Sequence, residues 1–444
     1  MKKCLLVFFL LTSFRLAAQP GYNIMDLPDH AVYGYRNYNI HFYLERKSDF
    51  SRLRNLSKVH SIIFHVHLKA LPAELYFLAD SLKEIYIDGN DQLEDISVLA
   101  TLKNLENINI INYSGVSLPD LSGLTKLRSF FVEKYYGGDK LKHIDGLSGC
   151  KSLKKLYVRS GAIEKLDLDF SKMTLDELEI SGCSSIKDIN AISDSKSLKI
   201  LRLFDIPIKR LPANMSNMDS LRYINIIGLH RLSDISNLKK MKSLHRISIN
   251  GAAHLTEIPR NFNTNTKMDS IDISYARGLR SAEGISYLRN LNLLDIDDVN
   301  PAFDIPSNLY TCENIQTIIV RISIESKAKD ISMIRNFPKL KKLELSFLPF
   351  SMLPDEIFTN KNVEEFAIIG NTLLTDISSV VRFKKLKKLT ISYNDKLIKI
   401  PDLKHDLSFV DDIDIQNNRT LVMQEDYKTL NKNWKIEKNG LSVN

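Results

Sequence analysis

The chain has 444 residues, 44% of them hydrophobic and 26% charged, with a pI near 9.0. That composition excludes long disorder, collagen and a polytopic membrane protein. A net charge of +8 spread evenly over so long a chain is too mild to argue for nucleic acid.

Residues 1–19 read MKKCLLVFFLLTSFRLAAQ. Lys2 and Lys3 give a basic start, residues 5–11 are an unbroken apolar run, and Ala17 and Ala18 supply small residues before Gln19. The run is far short of the ~20 residues that cross a bilayer as a helix. The pattern predicts a signal peptide over residues 1–18, cleaved after Ala18. Cys4 precedes the apolar run, where it cannot serve as a lipoprotein cysteine. Export to the periplasm, cell surface or medium is expected, and no later stretch is apolar enough to span a membrane.

From residue 59 one motif repeats: an apolar residue, two free positions, an apolar residue, one free position, an apolar residue. It starts at Val59, Leu82, Leu105, Leu127, Leu153, Leu175, Leu198 and Leu221. It continues at Leu244, Met268, Leu291, Ile315, Leu340, Val363, Leu386 and Val410, with gaps of 22 to 26 residues. Apolar alternation over five or six residues predicts a short strand with one buried face. Further apolar residues about three apart, such as Leu93, Ile96, Leu99 and Leu102, predict a turn and a 3₁₀-like return. One copy cannot bury its apolar face alone, so the copies stack in parallel over a shared core.

Two return types alternate. One turns through Leu71-Pro72, Leu118-Pro119, Leu211-Pro212, Ile258-Pro259, Ile305-Pro306, Leu353-Pro354 and Ile400-Pro401. The other uses Asp95-Ile96-Ser97, Asp234-Ile235-Ser236, Asp330-Ile331-Ser332 and Asp376-Ile377-Ser378. Proline suits the first position of a helical turn, and Ser, or the Asp before it, suits a cap.

On these repeats the chain resembles the leucine-rich repeat family over about residues 37–430. The Asp-Ile-Ser copies are similar to internalin-type bacterial repeats, and the Pro copies resemble a different bacterial subclass. The resemblance implies an α/β repeat solenoid: a curved array with a parallel concave β-sheet, a short 3₁₀ or turn convex side, and a concave side that binds another macromolecule. The expected organisation is a signal peptide (1–18), an N-terminal arm and degenerate capping repeat (19–58), about sixteen repeats (59–418) and a C-terminal cap (419–444). Tyr427, Leu430 and Trp434 keep the apolar spacing and are expected to plug the end. The family's turn asparagine occurs at Asn90, Asn371, Asn394 and Asn418, while Ile206, Leu229, Val299 and Leu348 fill it elsewhere. The side-chain ladder is therefore expected to be broken through the middle.

No phosphate-binding loop, dinucleotide fingerprint, nucleophile elbow or His-Glu-x-x-His motif occurs. No enzyme, cofactor or metal site is expected. His65 with His67, and Asp272 with Asp295 and Asp297, are the nearest approaches to metal-ligand sets, and Arg321 beside Asp297 favours charge pairing instead. Cys150 and Cys312 lie seven copies apart, ~34 Å along a sheet, and Cys183 takes the turn position, so three free buried thiols are expected.

Side chains at the third, fifth and seventh positions of each copy face away from the core. There Tyr86, Phe131, Tyr157, Arg159, Arg202, Phe204 and Tyr223 bring residue types common at binding hot spots. Beyond Leu244 the same positions become small, polar or charged, as in Ser248, Asn250, Ser274 and Thr390. The copy starting at Leu127 is the longest, with its surplus in Tyr135-Tyr136-Gly137-Gly138-Asp139. Tyr135 and Tyr136 are expected to form a rim loop completing the concave site. The reading is a monomeric, exported recognition module for a protein ligand, with carbohydrate as another ligand class and no nucleic acid. The alternative is a structural or self-assembling envelope component.

Overall fold

A computed structural model describes residues 22–23, 41–44, 48–56, 58–135, 138–260, 267–303, 306, 309–322, 334–335, 337–422 and 433–436. The expected signal peptide, Tyr136, Asp330-Ile331-Ser332, Tyr427 and Leu430 lie outside the described residues. The chain divides into two compact units, residues 1–175 and 176–444.

In the first unit the strands are β1 (Tyr22–Asn23), β2 (His41–Leu44), β3 (Ser61–Val66), β4 (Glu84–Asp88), β5 (Asn107–Ile111), β6 (Ser129–Glu133) and β7 (Lys155–Arg159). All pair in parallel, each with the next. The register stacks the motif's inward residues directly: Ile62, Ile85 and Ile108 are aligned, as are Phe64, Ile87 and Ile110. All six are buried, and each such side chain contributes about 1.5–3 kcal/mol. The 3₁₀ turn Phe50–Leu56 buries Leu53 and Leu56.

The second unit contains β8 (Glu177–Ser181), β9 (Ile200–Phe204), β10 (Tyr223–Ile227), β11 (Arg246–Asn250), β12 (Ser270–Ser274) and β13 (Leu293–Asp297). It continues with β14 (Thr317–Arg321), β15 (Lys342–Ser346), β16 (Glu365–Ile369), β17 (Lys388–Ser392), β18 (Asp412–Gln416) and β19 (Lys435–Ile436). These too pair in parallel, each with the next. Every one of the sixteen apolar starts leads, two residues on, into a strand. Trp434 is buried beside β19 and donates its Nε1–H to Val410 O at 3.1 Å.

The residue just after a strand commonly takes a left-handed backbone, which turns the chain while its N–H still bonds the next copy. Asn112 (φ 56°), Asp205 (48°), Gly228 (71°) and Gly370 (69°) occupy that turn. Their N–H groups bond Glu133 O, Ile227 O, Asn250 O and Ser392 O at 2.7–2.9 Å. Gly, Asn and Asp tolerate this conformation, whereas Tyr275 (53°), Phe347 (59°) and Tyr393 (59°) hold it at a cost of roughly 1–2 kcal/mol each.

Among the described residues the asparagine ladder runs through Asn371, Asn394 and Asn418. Leu348 N–H donates to Asn371 Oδ1, Asn371 N–H to Asn394 Oδ1, and Asn394 N–H to Asn418 Oδ1, at 2.8, 2.9 and 3.0 Å. All three asparagines are buried, but Asn90 is exposed and bonds the His67 ring instead. Ile206, Leu229, Val299 and Leu348 are buried at the equivalent position.

One detail of the return segments differs from the sequence reading. Pro72 and Pro354 stand one residue before their 3₁₀ turns, in extended backbone, rather than at the first turn position. The Asp-Ile-Ser turns are closed by the aspartate: Asp95, Asp234 and Asp376 accept the N–H of Ser97, Ser236 and Ser378 at 2.6–2.8 Å. Cys150, Cys183 and Cys312 are free and buried, and burial pushes the Cys150 and Cys312 thiols up to about 11.

Candidate functional site

In the first unit the register brings the expected Tyr86, Phe131, Tyr157 and Arg159 onto one face. Tyr86, Asn109, Phe131 and Tyr157 stand directly opposite one another across β4, β5, β6 and β7. The next row on that face is Asp88, Ile111, Glu133 and Arg159. The Phe131 and Tyr157 rings are tilted at 49° with centroids 6.1 Å apart, within the range of a favourable aromatic pair. Asn109 Oδ1, between Tyr86 and Phe131, is shut off from water without a hydrogen-bond partner. Such an acceptor costs about 1–3 kcal/mol.

Glu133 organises the neighbouring row, a role that position alone did not reveal. It is buried, and its Oε1 accepts Arg159 Nη1–H at 2.6 Å. Arg159 in turn lies over the Tyr135 ring, 5.6 Å from its centroid. Burial, then the hydrogen bond and charge of Glu133, push the Tyr135 phenol upward. Burial first, then the charges of Asp88 and Glu133, push the Tyr86 phenol up to about 12, so both tyrosines stay neutral donors at physiological pH. Tyr135 N–H donates to Asn112 Oδ1 at 3.2 Å, fixing the base of the long loop. Its far end is tied to the next copy: Asp139 accepts from Ser160 Oγ at 2.9 Å and Gly161 N–H at 2.5 Å. Tyr135 is thus a half-exposed ring on a pinned support.

In the second unit the expected residues are less alike. Arg202 pairs with Glu177, and Tyr223 lies under the Arg246 guanidinium at 5.4 Å. Phe204 corrects the expectation that it stands clear of the core, since it is only 8% exposed. Its register neighbours are Ser181 and Ile227. Further along, Arg321 meets Asp295 at 3.3 Å, Asp297 at 3.6 Å and both Glu344 oxygens, which accounts for Asp295 and Asp297 by charge pairing, while Asp272 accepts from Ser248 Oγ at 3.4 Å. Among the described residues, no group of three or more His, Cys, Asp or Glu is placed to hold a metal ion. No helix among them is long and apolar enough to cross a membrane.

The fold is matched by a leucine-rich repeat protein of Leptospira interrogans, with a TM-score of 0.60 and 17% identity over 93% of this chain and 96% of that one. The chain folds as a leucine-rich repeat array. An internalin of Listeria monocytogenes matches with a TM-score of 0.50 and 18% identity, covering 76% of this chain and 88% of the internalin. The leucine-rich repeats of TLR13, in its complex with ssRNA13, match at 0.61 and 16% identity, covering 87% of this chain and 62% of that one. By sequence, a volume-regulated anion channel subunit of Rattus norvegicus is 22% identical over 266 residues, 58% of this chain. The chain spans about a third of the length of the curated relatives it matches. No family model matches.

Proposed function

We propose that this leucine-rich repeat chain is an exported, non-catalytic recognition module that binds a protein ligand through the ring-bearing face of β4–β7. The observation that carries this reading is the row Tyr86, Asn109, Phe131 and Tyr157. Four side chains that the core does not use stand on one sheet face, three of them aromatic. Aromatic rings with little rotamer freedom are the side chains that dominate binding energy at protein interfaces. Tyr135 and Arg159, pinned through Glu133 and Asn112, add a preformed edge that loses little entropy when a partner docks. Within the second unit, taken by itself, Arg202 and Tyr223 are candidate contact residues. The basic, apolar and small-residue order of residues 1–18 supports export, and the protein is taken to act as a monomer.

Affinity capture by the mature chain, followed by titration of the recovered partner, tests the reading. Phe131→Ala and Tyr157→Ala should each weaken binding by more than ~2 kcal/mol, about thirtyfold, while the melting temperature holds. Unchanged affinity in both, with loss in Ser274→Arg or Thr390→Arg, would move the site to the polar face. Recovered protein should begin at Gln19, and an intact Met1 start would remove the export claim.

A further inference from the structure

A second site lies in the second unit, where the chain enters its strands, and it is independent of the protein-binding reading. We propose that the cleft around Arg222 and Lys267 binds a small tetrahedral oxyanion: phosphate, sulfate or a monoester of either. The residues just before β8 to β12 form a row. Asp176, Lys199, Arg222, His245 and Asp269 follow one another in it, each later N–H bonding the preceding carbonyl at 2.9 Å. Neighbours in such a row stand ~4.8 Å apart.

In later copies the same position alternates in sign through Lys341, Glu364, Lys387 and Asp411, and Lys387 reaches Glu364 at 2.7 Å. Here three bases stand in succession. Asp176 takes the outer Lys199 at 2.8 Å, and Asp269 takes the outer His245 at 3.1 Å. The middle one, Arg222, is exposed and has no side-chain partner among the described residues. These three bases line a cleft of about 270 Å³ together with Asp219, Ser220, Ser243 and Lys267, from the segments that lead into β10, β11 and β12. The Ser243 hydroxyl donates to Asp219 O and ties two of those segments together. Lys267, like Arg222, is exposed and without a side-chain partner among the described residues. Three permanent cations thus share the cleft with one carboxylate, that of Asp219.

The donors select the ligand. Arg222 offers a planar fork of N–H groups, Lys267 a compact charge with three donors, and Ser220 a hydroxyl. These come from different copies, so their hydrogen bonds converge from more than one direction. A tetrahedral oxyanion presents oxygens in several directions and carries up to two charges, whereas a carboxylate has two oxygens in one plane and a single charge. The cleft is also smaller than the ~300–1,000 Å³ of drug-sized ligand pockets, which suits a small ion or monoester.

Calorimetric titration and thermal melts of the full chain at constant ionic strength, with inorganic phosphate, inorganic sulfate and methyl phosphate, test the proposal, with acetate and chloride as controls. At least one of the two inorganic oxyanions should bind saturably and raise the melting temperature, and acetate should not. Binding of methyl phosphate as well assigns a monoester, and its exclusion assigns the free ion. The R222Q/K267Q double variant should lose about tenfold or more in affinity. Its melting temperature in chloride should hold or rise, because two unpaired like charges are removed. Four results would overturn the proposal: no saturable response to either inorganic oxyanion, an equal response to acetate, undiminished binding by the variant, or a clear fall in the variant's melting temperature in chloride.

Discussion

The face of β4–β7 and the face of β11–β15 use the same strand positions on the same backbone, yet they are finished differently. On the second, polar groups satisfy one another: Asn250 Nδ2–H donates to Ser274 Oγ at 2.8 Å, and Arg321 reaches Asp295 at 3.3 Å. On the first, rings stand in a row around an amide oxygen that nothing satisfies. The fold requires only the inward residues, so what the outward positions carry is free to serve another purpose. A closed polar network satisfies itself, whereas an aromatic row leaves apolar ring surface for a partner to cover.

Removing the cation from the closed network should give the largest effect. Arg321 is 14% exposed and Glu344 10% at the side chain, so Arg321→Leu leaves a buried carboxylate unpaired. A loss of about 3–5 kcal/mol in unfolding free energy is expected in denaturant titrations, with no change in ligand affinity at β4–β7. An effect below 1 kcal/mol would mean the network is solvated and the contrast between the faces is weaker than drawn.

Phe204→Ala sharpens the comparison from the other side. Because its ring is covered, truncation should cost about 3 kcal/mol. Tyr157→Ala, on the open row, should cost well under half of that in the same melts. Equal losses would erase the distinction between a packed ring and a presented one.

Acid provides the smallest and most local test. Burial pulls the Asp88 carboxyl upward, but hydrogen bonds from His65, Asn112 and the Asn90 N–H together outweigh it and hold it below the ordinary value. A depressed carboxylate stabilises the fold above its unfolded pKa, near 3.9, and that contribution disappears as the pH falls through the lower folded value. Asp88→Asn should therefore lower the melting temperature slightly at pH 7 and flatten its decline below about pH 4. An acid limb identical to wild type would show that Asp88 is not held by these bonds.

Much of this architecture is readable from spacing. Apolar residues at the first, fourth and sixth places fix the strand and its register, which is why Leu82, Ile85 and Ile87 lead unambiguously to β4. The free thiols follow from their phase alone. What the sequence hides is coverage and cross-copy contact. Two-residue periodicity tells that Phe204 points outward, but its cover depends on what lies around it. Glu133 looks like one more surface acid until the register sets Arg159 beside it. Asn90 sits at the ladder position, yet with φ 44° and a bond to His67 it leaves the ladder. The left-handed turn after the strand falls on a column of Gly, Asn and Asp that Tyr275, Phe347 and Tyr393 interrupt, so the residue types alone do not mark it.

Site-specific photo-crosslinking puts the central claim to its most direct test. A benzoylphenylalanine placed at Phe131 or Tyr157 should form a covalent adduct with a single protein partner in the producing cells or their medium. The same group at Ser248 or Ser274 should form none. Adducts confined to Ser248 and Ser274, or absent from all four positions, would contradict the assignment of β4–β7 as the recognition face.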